Sequence, residues 1–259
     1  MLALELDVAT TLRETPDIET SSEGYASRFQ GPVGDYFLAV QAQMVLDLLQ
    51  PLQTQRPLRV LDVGGGHAQI AGPLAARGHD VTVFGSDPVC RQRLDRLLPA
   101  GSFRFESGDL LRLPFPDRSF DVVVALRLLS HMEQWRELLA ELARVAKRAV
   151  ILDYPDLRSF NLLYGALFKV KKALEGNTRT FLCFRPGEVA AELARHGFGQ
   201  PAERRQFFVP MVVHRKLGKA GFSRPVERLS ATLGLTRALG SPVVLRAVRS
   251  GEPGGKPRK

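Results

Sequence analysis

The sequence predicts an α/β fold, a mostly parallel sheet with helices on both faces, and two observations carry the prediction. From about residue 58 onward, short apolar runs alternate with helical patterns, the order that builds parallel strands joined by crossover helices. The first of these runs, VLDV, ends on Asp62 and Val63 and breaks into three consecutive glycines before the next helical stretch. Bare backbone there marks a tight turn at the carboxyl end of a strand, where ligands of open α/β sheets sit.

Taken in order, ETSSEGYASRFQGP reads as a loop and VGDYFLAVQAQMVLDLLQP as a helix that stops before Pro51. The runs LRVLDV, DVTVF, FRFES, FDVVVAL and RAVILDY read as five short buried strands. AQIAGPLAARG, PVCRQRLDRLL and EQWRELLAELARVAK are the helices between them. In the last of these Trp135, Leu138, Leu139, Leu142 and Val145 share one face, while Glu137, Glu141 and Arg144 fall elsewhere, so the face packs on the sheet. RPGEVAAELARHGF is a further helix with Pro186 near its start, and RRQFFVPMVV and SPVVLRAVR are the last strand-like runs. Between them HRKLGKAGFSRPVERLSATLGLTRALG reads as a basic, helical insertion, and SFNLLYGALFKVKKALEGNTRTF as an earlier one. The chain therefore divides into an N-terminal helical segment (1–55), an α/β domain (56–250) with insertions at about 157–183 and 210–240, and a disordered basic tail (251–259).

Composition bounds the function. A chain of 259 residues, 44% of them hydrophobic, suffices for one ordinary core. The start, MLALELDVATTLRE, carries Glu5 and Asp7 and lacks a basic n-region, so it does not read as a secretion signal. No apolar run approaches the roughly 18 residues of a membrane span. Cys90 and Cys183 show no CxxC or Cys/His spacing, which argues against a metal site and a disulfide framework and for the cytoplasm. The net charge is +9, and residues 196–259 hold 13 Lys or Arg against 3 acids, a balance of +10. The positive charge thus belongs to the C-terminal quarter, which suits a membrane, an acidic substrate or nucleic acid.

The glycine turn is not built for phosphate. Counting from Gly64, the sixth position of a dinucleotide fingerprint is Gln69 rather than glycine, and no Gly-Lys-Ser/Thr follows. A carboxylate before the glycines suits a ligand joining a cationic amine to a nucleoside: the glycines admit it to the backbone and the acid offsets its charge.

At these residues the chain resembles the class I S-adenosylmethionine-dependent methyltransferases. VLDVGGGHA is similar to their first motif, an acid followed by GxGxG, with Ala68 in the third glycine's place. GDLLRLPFPDRSFDVVVALRLLSHMEQWRELLAELARVAKRAVILDYPD resembles the matching region of the small-molecule, type 11-like branch that includes quinone-biosynthesis enzymes. The resemblance covers roughly residues 24–208. It implies a Rossmann-like doubly wound sheet of seven strands, mostly parallel, whose last two form an antiparallel edge. It also implies S-adenosyl-L-methionine as cofactor, held by Asp62, Gly64, Gly65, Gly66, Ser86, Asp87, Asp109, Leu110 and Leu126, with Asp109 accepting from the adenine amino group. One departure stands out. The family's acid at the end of the second strand, which holds the ribose hydroxyls, aligns with Gly85, leaving Asp87, Ser86 or a water for that role.

The implied reaction is methyl transfer to O or C of a small or lipid-like acceptor. His131, just after the fourth strand, is either a wall residue or a base, its ordinary pKa of about 6.5 suiting proton transfer at neutral pH. Tyr154, beside Asp153 at the end of the fifth strand, is a candidate lining residue of the same crevice. Tyr25, Arg28 and Tyr36 either anchor the N-terminal segment or help it close over the cofactor as a lid. His214 reads as a surface histidine in a basic patch. Two other functions compete. A nucleic-acid methyltransferase fits the charge, but the position of the family's NPPY-like motif reads ALRLL, so no nucleic acid is expected. A non-catalytic adenosylmethionine-binding or scaffold protein would explain Gly85. The aromatic and lysine residues of 160–172, or the basic C-terminal region, are candidates for peripheral contact with a membrane; the oligomeric state is unknown from sequence.

Overall fold

The apolar runs become β1 (Arg59–Val63), β2 (Asp80–Gly85), β3 (Arg104–Ser107), β4 (Phe120–Ala125) and β5 (Ala146–Tyr154), all parallel, joined by β6 (Phe198–Phe207) and β7 (Ser241–Arg249). The chain is described by a computed structural model over residues 13–159, 181–217 and 220–251. The segment 160–172 and the tail from 252 lie outside the described residues. Strand order is β3-β2-β1-β4-β5-β7-β6, with β7 antiparallel to both neighbours. The seven strands and the antiparallel edge are those expected.

Alternation along the strands feeds two apolar layers, because successive side chains point to opposite faces. On one face Leu61, Val63, Val123 and Val150 pack with α6 (Trp135–Val145) and α7 (Glu188–Arg195). On the other Val60, Val81, Val83, Val122 and Ile151 pack with α3 (Gly31–Leu49), α4 (Ala71–Ala75) and α5 (Gln92–Leu97). All five residues assigned to the inner face of α6 are buried. Ahead of α3 lie α1 (Pro16–Thr20) and α2 (Glu23–Ala26). Ser22 caps α2 by accepting from Tyr25 N at 3.1 Å, which offsets an otherwise orphaned donor of its first turn.

Three local expectations are corrected, the first being the stretch 19–32, read as a loop, which contains α2 and the helical turn Ser27–Phe29. The sixth strand starts at Phe198, within polar residues, and ends at Phe207. Met211, Val212 and Val213 open α8 (Met211–Leu217) instead of continuing the strand. Helices α8, α9 (Ala220–Thr232) and α10 (Leu235–Leu239) make up the basic insertion between β6 and β7. His214 is not on the surface: it is fully buried, 2.8 Å from Glu227 Oε1, whose carboxylate also accepts from Phe208 N and Val209 N. The pair fastens α9 to the turn after β6.

Candidate functional site

At the carboxyl end of β1 the chain turns sharply. Gly64 has a φ of +72° and its N–H donates to Phe84 O at 2.8 Å, tying the turn to β2. At Gly65 a side chain would run into the Asp62 carboxylate, and at Gly66 into Ser21 and the Cys90 carbonyl. Glycine at these positions is therefore a packing requirement. Asp62 is buried, and its Oδ2 has no hydrogen-bond partner among the described residues. Burial raises its pKa to about 7. A buried carboxyl with an open lone pair at the strand end is an acceptor waiting for a donor.

His67, in the same turn, stands edge-on to Tyr25 and Phe29, with centroids at 5.9 and 5.7 Å. Burial, with Arg127 and Arg93 nearby, drives its pKa down to about 3, so the ring is neutral. At the end of β4, Arg127 takes the left-handed conformation, φ +56°. Its backbone N donates to Asp153 Oδ1 at 2.5 Å; Nη2 donates to Gln41 Oε1 at 3.1 Å and to Gln69 Oε1, and the guanidinium lies 4.4 Å from the Phe29 ring centre. Gln41 also donates to Asp153 Oδ2. This network joins α3, the glycine turn, β4 and β5; of its members only Asp153 and, as the residue in place of a fingerprint glycine, Gln69 stood out in the sequence.

The N-terminal segment crosses the crevice. Glu14 accepts from Glu133 N at 2.6 Å and Gln134 N at 2.9 Å, before α6. Arg13 donates to Ser86 O, and the buried Asp17 accepts from Ser86 N at 2.7 Å. Asp17 Oδ1 and Ser86 Oγ are buried without partners among the described residues. The carboxylate missing at Gly85 is thus matched by one brought 69 residues along the chain to the end of β2. Asp87, by contrast, uses its side chain to accept from Val89 N at 2.8 Å, capping the turn that follows. Asp109 accepts from Leu111 N at 2.9 Å, fixing the turn after β3; Leu110 is core, and Leu126 faces Asp62 across the glycine turn.

With the segment in this position the space bounded by Thr20, Asp62, Gly64, His67, Leu126 and Arg127 is about 10 Å³, far smaller than a nucleoside. Next to it lies a cavity of about 360 Å³, walled by Tyr25, Phe29, Arg127, His131, Tyr154 and Phe181 among others. His131 is half-buried on its wall, 5.7 Å from the Phe181 ring. The buried Tyr154 points its hydroxyl at Glu203 Oε1, 3.3 Å away; burial and Glu203 push its pKa well above the usual phenol range. Arg28 lies over the Tyr25 ring at 5.0 Å, and Tyr36 packs on Phe207.

Residues 61–152 match the family model of the methyltransferase domain. Demethylmenaquinone methyltransferase of Deinococcus radiodurans is 41% identical over 122 residues, 44% of this chain and 49% of that protein. Phthiotriol/phenolphthiotriol dimycocerosates methyltransferase of Mycobacterium tuberculosis is 34% identical over 109 residues, 40% of this chain and 39% of that protein. The matches thus span about half the length of the first relative and less of the second. Magnesium protoporphyrin IX methyltransferase of Synechocystis, solved with bound SAH, shares the fold: TM-score 0.59, 21% identity, 89% of this chain and 96% of that one. Residues 61–152 thus match a methyltransferase domain, and the chain has the Rossmann-like fold of the solved methyltransferase.

Proposed function

We propose that the protein transfers a methyl group from S-adenosylmethionine to O or C of a small, largely apolar or lipid-like acceptor. The observation that carries the reading is the junction of two spaces: the glycine turn with its open Asp62 carboxyl, and the adjoining 360 Å³ cavity with apolar walls. When bound, the cofactor supplies an activated methyl group with a neutral leaving group. In this reading Asp62 offsets the cationic amine, Gly64, Gly65 and Gly66 admit the ligand to the backbone, and Asp109 with Leu110 and Leu126 borders the adenine and amino-acid ends. Asp17, with Ser86, takes the place of the family's acid at β2 and receives the ribose hydroxyls; Asp87 is left to its capping role. His131 accepts the proton of an acceptor hydroxyl or acidic carbon, and Tyr154 is a fixed wall of the acceptor cavity. Alignment and exclusion of water do most of the work, and the segment from Arg13 to Phe29 supplies the exclusion as a lid. The names of the two curated relatives support a lipid-like acceptor.

Calorimetric titration with S-adenosylmethionine and, in parallel, NAD tests this. Micromolar binding of the former alone, lost in Asp62→Ala, is expected. The about 10 Å³ left over the glycine turn favours a second reading, a non-catalytic scaffold; binding of neither ligand would put that reading first.

A further inference from the structure

Helices α8 to α10 are built inside out. The side of α9 turned to the protein carries Ser223, Glu227 and Ser230, all buried, and the buried residue of α8 is His214. The outward side carries the apolar residues: Phe222 is 48% exposed, Leu229 61% and Leu233 64%, with Leu217 of α8 at 46%. Phe222, Leu229 and Leu233 are spaced seven and four apart, which aligns them in one stripe along the helix and the turn that follows. Arg224 and Arg228, four apart and exposed, form a second stripe. Residues 211–240 contain six Lys or Arg and one acid, Glu227, which is consumed by His214 and the backbone of the preceding turn. Every exposed charge on the described part of this surface is therefore positive. Water does not select such a pattern; an interface with an apolar interior and anionic edge does.

The acceptor cavity reaches the same surface. A second space of about 240 Å³ shares Pro155, Phe181, Met211, Arg215 and Pro242 with the larger cavity and ends on Val212. Val212, Arg215 and Lys216 are exposed on α8, so the second space ends beside exposed apolar and basic side chains of the same insertion.

We propose that α8 to α10 seat the protein on an anionic lipid surface and open the acceptor cavity to it, so that an acceptor with a long apolar part enters from the lipid. The entry route rests on the methyl-transfer reading; the docking itself does not. Apolar side chains enter the acyl boundary while the arginines and lysines stay with the headgroups, whose negative charge they match.

The test is co-sedimentation of the full chain with phosphatidylglycerol/phosphatidylcholine vesicles and with phosphatidylcholine alone, at low and high salt. The anionic vesicles are expected to retain the protein at low salt and to release much of it at high salt. The double substitution Leu229→Glu, Leu233→Glu is expected to weaken retention by at least about tenfold, and Phe222→Ser to weaken it to a lesser degree. Cofactor titration and thermal melting of these variants should match wild type, because none of the three residues touches either cavity. Absence of retention on anionic vesicles at low salt overturns the proposal. So does a concentration-dependent dimer that the same substitutions dissolve, which assigns the face to a second copy. Retention of a chain that binds no adenosylmethionine would leave the docking standing and remove the methyl-transfer reading.

Discussion

Replacing Asp62 by Asn tests whether the fold holds this carboxyl neutral. The substitution keeps shape and volume and removes the ionisation. In the folded chain burial raises the pKa from the ordinary 3.8 to about 7. Below about pH 3 the carboxyl is protonated in both states and costs nothing. As pH rises the unfolded chain gives up the proton first, so folding is progressively penalised until the folded group ionises near pH 7, and the penalty is constant beyond that. At 1.36 kcal/mol per pH unit the full effect is about 4 kcal/mol. Urea unfolding of both proteins at pH 4.5, 6 and 7.5 reads it directly. The Asn variant should gain about 3 kcal/mol on wild type between the first and last of these, because about 1 kcal/mol of the penalty is already present at pH 4.5, and the midpoints should separate further by roughly 1.5 M for an m-value near 2 kcal/mol/M. Asp153, also raised by burial, is common to both chains and cancels. A stability difference independent of pH would refute the reasoning.

Other outcomes follow from the same geometry. Gly65→Ala, whose methyl would meet the Asp62 carboxylate, should cost about 1–3 kcal/mol in unfolding free energy and abolish adenosylmethionine binding in calorimetry. Asp17→Ala leaves the buried Ser86 N–H without its acceptor, costing about 1–3 kcal/mol. Its cofactor affinity should fall at least about tenfold if the carboxylate receives the ribose; a rise would mean that Asp17 only fills the crevice. His131→Gln should leave cofactor affinity unchanged and lower the single-turnover rate by about 10²-fold or more once an acceptor is in hand, with loss of the acidic limb of the pH–rate profile; an unchanged profile would return His131 to the cavity wall.

The central sheet was legible because buried parallel strands are near-continuous apolar runs, and LRVLDV or FDVVVAL have few other readings. The glycine turn was legible because its backbone demands show in the residue types themselves. The edge of the sheet was not. Phe198–Phe207 is half-exposed and mostly polar, so burial imposed no apolar signature on it. Met211–Val213 misled for the opposite reason: Val212 and Val213 face outward on α8, and three apolar residues in a row imitate a strand. His214 was misjudged because its partner, Glu227, lies a helix away. Asp17, Gln41 and Arg127 act through partners 26 to 112 residues distant, and no local pattern announces such pairs. Gly85 was recognised as a missing acid, but the carboxylate that reaches the end of β2, Asp17, belongs to an N-terminal segment that sequence alone described only as helical, anchored or closing as a lid.

Position 85 and the Asp17 carboxylate are coupled through Cys90. A side chain grown on Gly85 would sit 2.8 Å from Cys90 Cβ and 3.2 Å from Phe105 Cζ, while Cys90 itself rests against Asp17 at 3.5 Å. Placing an acid at position 85 therefore requires Cys90 to yield, and moving Cys90 disturbs its contact with Asp17. A graft of the α/β domain onto a foreign N-terminal segment would leave Ser86 N–H, just beyond β2, without the carboxylate that accepts from it. Such a chimera would need Asp17 and its surroundings transplanted with the domain, as one heritable unit.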